Sequence, residues 1–221
     1  MARILLVEHC GVALVYNHLS QNLSESLLSI KERQEVLNDG AVYLVGPIQA
    51  ADTLNGNNRI YSRRVLEKAL VPYQRLISEG GATGELDHEN RDNVNFKTSS
   101  HVLTSVWWNQ NVLMGKIRVL ETTQGNNVRA LIKGGVRPGI SSRALGSVAR
   151  NERGQDIVQD DLDFRCWDLV STPSTPGAFM SVMESQQFPT ASGLNNIADS
   201  IIKESIQHQN KIKELVDFLT R

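Results

Sequence analysis

The chain alternates between short apolar runs bounded by turn residues and stretches with helical spacing. Val12, Leu14, Leu19, Leu23, Leu27 and Leu28 recur at roughly helical intervals among Ser, Asn, Gln and Glu, which predicts a helical arm over 12–37, stopped by Asn38-Asp39-Gly40. Residues 41–48, with Val42, Tyr43, Leu44, Val45 and Ile48, predict a buried strand. A polar loop follows over 54–59, then Ser62 caps a predicted helix that runs to about Ser78, with Val65, Leu66, Leu70 and Leu76 apolar and Gly80-Gly81 ending it. Alternation over 102–108, the turn formers Asn109-Gln110-Asn111 and a second run over 112–120 predict a hairpin. A short helix over 128–133, closed by Gly134-Gly135, leads to strands over 140–149 and 162–171. Strands interrupted by two helices point to an α+β domain with a mainly antiparallel sheet or barrel.

The composition changes after Pro173-Ser174-Thr175-Pro176-Gly177. Residues 184–193 have a linker composition. Ile197, Ile201, Ile202, Ile206, Ile212, Leu215, Val216 and Leu219 then mark an amphipathic C-terminal helix suited to packing on a partner. The expected organisation is a helical N-terminal arm over 1–40, a central domain over 41–183, a linker over 184–193 and a C-terminal helix over 194–221.

Bulk properties narrow the function. The 221 residues are 40% hydrophobic and 21% charged, ordinary for a globular protein, and suffice for one sizeable domain with an extension. A formal net charge of -1 provides no global basic field, and no basic, aromatic-rich stripe is present, which argues against a nucleic-acid module. No apolar run is long enough to cross a bilayer, and residues 1–8 are too short and too soon acidic for a secretory signal. Cys10 and Cys166 form no disulfide framework and read as reduced thiols. Neither has metal-ligand spacing to a histidine, so no metal or other cofactor is expected.

The candidate chemistry centres on Gly139-Ile140-Ser141-Ser142-Arg143-Ala144-Leu145-Gly146. A hydroxyl becomes a useful nucleophile only when a neighbouring base takes its proton. Adjacent strand positions face opposite sides of a sheet, so only one of Ser141 and Ser142 can point into a given site. The flanking glycines permit close backbone approach. His88, in Gly84-Glu85-Leu86-Asp87-His88, is the candidate base; the competing reading is an exposed loop histidine. His9, His18 and His208 fall in the arms, and His101 begins a strand. Strict alternation over 162–170 puts Leu162, Phe164, Cys166, Asp168 and Val170 on one face. An acid on such a face must be paired, because an isolated buried charge is costly. Orienting an imidazole would satisfy that need; a structural ion pair with Arg143 or Arg165 is the alternative. Asp87 is a competing orienter, although neighbouring side chains seldom reach that geometry. His88, a serine of the pair and Asp168 together suggest serine-type acyl transfer.

The ordered set Asn57-Asn58-Arg59-Ile60-Tyr61 with Arg64-Val65-Leu66-Glu67-Lys68-Ala69, then Gly84–His88, Trp107-Trp108, Pro138–Gly146, and Asp168-Leu169-Val170 before Pro173-Ser174 resembles the prohead core proteases of T4-like bacteriophages. These belong to the herpesvirus-assemblin-like capsid maturation proteases. The match covers roughly 41–182. It implies a small β-barrel ringed by helices, herpesvirus-protease-like in fold. It also implies a serine endopeptidase acting on scaffold and capsid proteins inside the prohead, within the host cytoplasm, with no nucleic-acid or membrane partner. By this resemblance His88 is the base, Ser141 the nucleophile and Asp168 the third member, where herpesvirus relatives carry a second histidine. Ser142 and the Arg143 backbone are implied oxyanion contributors, while an assisting oxyanion arginine has no clear counterpart. Asp87 stands in place of an asparagine and Glu89 in place of a proline. Proteases of this type resemble one another in cutting after Glu preceded two positions earlier by Leu or Ile. The chain contains that pattern at Leu6-Val7-Glu8, Leu23-Ser24-Glu25, Ile30-Lys31-Glu32, Ile77-Ser78-Glu79, Ile202-Lys203-Glu204 and Ile212-Lys213-Glu214, which suggests a zymogen whose arms dock on scaffold and are later trimmed; self-association is a separate expectation. A non-catalytic scaffold or assembly protein on the same fold is the alternative function. Arg59, Arg63, Arg64, Lys133 and Arg143 are the candidate partners for a substrate carboxylate.

Overall fold

The computed structural model describes residues 4–7, 27–175 and 178–183, and within them eleven strands and three helices. The largest sheet is built from β2 (Val42–Ala50), β4 (Thr83–Glu85), β5 (Ser99–Asn109), β6 (Val112–Val119) and β11 (Ser181–Met183), in the order β11-β2-β6-β5-β4. Its centre is the expected hairpin: β5 and β6 pair from His101↔Val119 to Asn109↔Val112, and Gln110 turns the chain at φ 53. A second sheet has the order β1 (Ile4–Val7), β7 (Gly139–Gly146), β10 (Asp163–Val170), all antiparallel. Three short strands, β3 (Arg59–Ile60), β8 (Val148–Arg150) and β9 (Asp156–Val158), make the third.

The first two sheets meet at two corners. Leu86 bridges Leu169, with the Asp87 N–H donating to the Leu169 carbonyl at 2.8 Å. Gly139 bridges Phe179, flanked by Ile140 N–H to Ala178 O and Met180 N–H to Pro138 O, both 2.9 Å. The architecture is the expected α+β, rich in antiparallel strands. Among the described residues, however, the ladders do not close into one barrel. Beside β4 and β11, three residues each, the backbone pairing to the neighbouring sheet is made by isolated bridges at Leu86 and Phe179 rather than by a continuous ladder.

Helix α1 (Ile30–Asp39) starts with a capping box between Ser29 and Glu32 and ends at Gly40, whose φ of 65 only glycine adopts without cost. Glu32 pairs with Lys116 at 2.6 Å and Tyr43 Oη donates to Glu35 at 2.6 Å, so the polar face of α1 is tied to the large sheet. Helix α2 (Arg63–Ser78) is capped by Ser62 as expected and buries Val65, Leu66, Ala69, Leu70 and Tyr73. Helix α3 (Thr123–Lys133) begins five residues before the apolar signal at 128, because the Thr122 hydroxyl accepts from Gly125 N–H and adds a polar first turn. The core collects Leu44, Ile48, Leu66, Leu103, Leu113, Ile117, Ile140 and Leu169, all at most 1% exposed, each contributing roughly 1.5–3 kcal/mol on burial. Residues 4–7, inside the segment expected to be a helical arm, pair instead as β1. Four successive apolar residues suit an edge beside a buried strand. The rest of that arm before α1, at 8–26, lies outside the described residues, as do the linker over 184–193 and the C-terminal helix over 194–221.

Candidate active site

The register of β7 against β10 decides which serine meets Asp168. Ser141 and Asp168 are direct partners, as are Ser142 and Trp167. Cross-strand partners share a face, so Ser141 stands on the Asp168 side with Arg143 and Cys166. Ser142 shares the opposite face with Ile140, Ala144, Trp167 and Leu169, residues of the hydrophobic core. A bulge between Phe164 and Cys166 corrects the alternation expected for this strand. Phe164 pairs with Ala144 and Cys166 with Arg143, so Arg165 is the extra residue and Phe164 turns away from Asp168. The Phe164 ring packs 4.4 Å from Trp167, and Tyr73 of α2 packs edge-on to Trp167 at 4.9 Å. One strand thus faces aromatic packing on one side and charged groups on the other.

His88 comes from the loop after β4, and three contacts fix that loop to β10. The Glu85 N–H donates to Asp168 Oδ1 at 2.8 Å, Leu86 bridges Leu169, and Asp87 takes φ 63 while its N–H bonds the Leu169 carbonyl. Gly84 makes the approach possible: a β-carbon there would collide with the Trp167 carbonyl oxygen and the His101 ring. His88 Nδ1 then lies 2.7 Å from Asp168 Oδ2, with its side chain 5% exposed. It is not the exposed loop histidine that was the competing reading.

Asp168 is fully buried and heavily bonded. Arg143 donates to it from Nε at 2.6 Å and from Nη2 at 3.1 Å, and the Cys166 thiol lies 3.4 Å from Oδ1. Burial would raise this carboxyl, but the hydrogen bonds from His88 and Arg143 and the Arg143 charge hold it below the ordinary carboxylate range. An ionised carboxylate only accepts, so His88 Nδ1 carries the proton and Nε2 is the basic nitrogen. The two readings of Asp168 are therefore both realised, since it holds an imidazole and pairs with Arg143 at once. Arg143, also fully buried, reaches Glu85 Oε2 and the Arg91 carbonyl (2.7 Å). Burial would lower its affinity for a proton, yet the bonds to Asp168 and the surrounding negative charge raise it, making Arg143 a permanent cation. Glu85 accepts from Thr98 and Arg91 and from the Asn95 N–H at 2.8 Å. Burial pushes its carboxyl up, and these bonds with the Arg143 charge bring it below its usual value. Asp168, Glu85, Arg143 and Arg91 form a balanced cluster of two carboxylates and two guanidinium groups.

Glu85 and Arg91 were not candidates on sequence, and Arg143 was considered only as a backbone donor or a carboxylate partner. Their pairing depends on β4, β7 and β10 converging, which no local pattern encodes. Of the cations considered for substrate recognition, Arg143 is committed to this cluster, Arg64 makes a fork to Asp160 (both bonds 2.7 Å), and Arg63 lies 3.5 Å over the Trp108 ring. His101 is fully buried, with its Nε2 3.0 Å from the Trp167 carbonyl and its Nδ1 2.9 Å from the Ser100 hydroxyl. Burial pushes it down to about 4, so it is a neutral structural group. His9, His18 and His208 lie outside the described residues. Among the described residues, no three His, Cys, Asp or Glu side chains are grouped to hold a metal ion.

A serine and a carboxylate on one ladder rung, with an imidazole bonded to that carboxylate, is an arrangement suited to nucleophilic hydrolysis. The model of the family described as prohead core protein serine protease matches residues 5–187. The prohead core protein protease of Enterobacteria phage T4 is 34% identical over 154 residues, 68% of this chain and 73% of that protein. The solved structure of the bacteriophage T4 capsid assembly protease superposes with a TM-score of 0.61 at 27% identity, covering 77% of this chain and 99% of that one. The chain belongs to the prohead core protein serine protease family. It is accordingly a peptidase of bacteriophage capsid assembly.

Proposed function

We propose that the chain is a serine endopeptidase in which Ser141 is the nucleophile, His88 the general base and acid, and Asp168 the group that orients His88. The observation that carries this reading is the Ser141–Asp168 rung together with the 2.7 Å bond from His88 to Asp168. Ser141 Oγ attacks the scissile carbonyl while His88 Nε2 takes its proton, and Asp168 stabilises the resulting imidazolium. His88 returns that proton to the leaving amine as the C–N bond breaks. A water then loses a proton to His88 and attacks the acyl-enzyme, and the Ser141 hydroxyl is restored.

Family membership supports substrates among the scaffold and capsid proteins of the prohead interior, and the chain itself, cut after Glu in Leu/Ile-x-Glu sequences. Two such sequences in this chain end in helical settings, at Glu32 of α1 and at Glu79, the C-cap of α2; cutting there requires local unwinding. The two corner bridges between the sheets support a barrel-like relation to the herpesvirus proteases. The test is fluorophosphonate labelling with mapping of the modified residue, in the unaltered chain and in Ser141→Ala and Ser142→Ala. Labelling at Ser141, lost only in Ser141→Ala together with roughly 10⁴-fold or more of turnover, is expected. Labelling at Ser142 would reverse the register assignment.

A further inference from the structure

The nucleophile strand β7 has two edges. One is paired along its length with β10; the other, from Arg143 to Gly146, is paired with β1, Ile4 opposite Gly146 and Val7 opposite Arg143. β1 therefore advances along β7 toward Ser141, and its last residue is paired two positions from it. An extended peptide commonly binds by adding a strand to a free sheet edge. A peptide pairing with residues 143–146 in the direction of β1 would place there the residues preceding its reacting bond, and carry that bond on toward Ser142 and Ser141. Exposure is the second observation. Ser141 is 2% exposed and the His88 side chain 5%, so no polypeptide reaches these atoms unless part of the folded chain is displaced.

We propose that β1 is an internal occupant of the peptide-docking edge of β7, and that the edge accepts protein substrates only when residues 4–7 are withdrawn or cut away. The proposal rests on Ser141 being the nucleophile. The docking surface is the backbone of Arg143–Gly146, and the partner it fits is an extended polypeptide running antiparallel to β7. β1 also runs into Leu6-Val7-Glu8, so the occupant itself begins one of the Leu/Ile-x-Glu sequences proposed above as substrates.

The experiment uses the full chain with Cys10→Ser, in three forms: otherwise unaltered, Leu5→Pro with Leu6→Pro, and Leu5→Cys with Leu145→Cys. Adjacent prolines remove any ladder donor from the centre of β1. Leu5 and Leu145 are direct partners, and antiparallel partners lie within the spacing a disulfide spans. Diamide should therefore lock β1 in place. Turnover is read with a quenched fluorogenic peptide of residues 199–208, and Ser141 with a fluorophosphonate. Apparent affinity scales with the fraction of molecules whose edge is vacant, so an edge vacant in about one molecule in ten gives a roughly tenfold gain when the prolines open it. The oxidised form should lose turnover and regain it in dithiothreitol. Failure of the cross-link to form, or equal turnover by the oxidised and proline forms while the proline form labels at Ser141, overturns the proposal alone. A folded proline form that does not label at Ser141 overturns it together with the protease site on which it rests.

Discussion

Replacing Arg143 with Met removes the cation at the centre of the buried cluster while leaving a side chain of similar length. Four bonds disappear: two to Asp168, one to Glu85 and one to the Arg91 carbonyl. Glu85 keeps Arg91, Thr98 and the Asn95 N–H, but Asp168 is left with the Glu85 N–H, His88 and the Cys166 thiol, in a site with no exposure. Stranding a buried charge in this way costs about 3–5 kcal/mol. At roughly 2–4 °C per kcal/mol for a chain of this size, Tm falls by about 6–20 °C. Urea unfolding of Arg143→Met, Glu85→Gln and the double variant forms a cycle. Removing the second carboxylate should return about 1 kcal/mol or more, because the two sites are in contact. Arg143→Lys keeps the charge but not the planar fork, and should restore only part of the lost stability. A loss under about 1 kcal/mol for Arg143→Met, with an additive cycle, would refute the cluster as a support for the site.

Three further outcomes can be checked. Gly84→Ala drives a β-carbon into the Trp167 carbonyl and the His101 ring; the expected cost is about 1–3 kcal/mol in urea unfolding. With β4 displaced from β10, turnover should drop by about 10² as well. His101 is held neutral by burial at about 4 against an ordinary 6.5, so between these values the unfolded chain binds a proton that the folded chain does not. Stability should therefore fall by about 3 kcal/mol as pH drops from 6.5 to 4, and His101→Gln should flatten that part of the curve. The depressed carboxyls of Asp168 and Glu85 act in a lower window: their contribution is present above about pH 4 and disappears as pH falls through their folded values. Asp87→Asn should retain activity, since His88 bonds Asp168 and asparagine tolerates the left-handed φ of 63, whereas Asp87→Val should cost about 1–2 kcal/mol of stability. Inactive Asp87→Asn beside active Asp168→Asn would transfer the orienting role to Asp87.

Much of this architecture is legible in local patterns. Ser62 and the apolar spacing of Val65, Leu66 and Leu70 mark α2, and Asn109-Gln110-Asn111 between alternating runs marks the β5–β6 hairpin. These signals are set by contacts within a few residues. Asp168 could be singled out because an acid on an apolar strand face needs a partner, but which partner could not be read. The alternation that exposed Asp168 also misplaced Phe164, because the bulge at Arg165 reverses the face midway and leaves no compositional mark. Ser141 and Ser142 were separable as opposite faces; only the pairing with β10 tells which face carries Asp168. β3, β8 and β9 are two or three residues long, too short for a period to show. Glu85 and Arg143 are 58 residues apart and meet only because Gly84 lets β4 run close to β10.

Ser141 and Asp168 occupy one rung, so their separation is dictated by the repeat of the ladder itself and is as rigid as the sheet. His88 belongs to no strand and is held by a short segment running beside β10. Two of the three groups thus belong to one ladder, and the imidazole is placed by the segment bonded to β10 and by Asp168 itself. A change that shifts residues 85–88 against β10 would therefore move the imidazole relative to both strand groups at once.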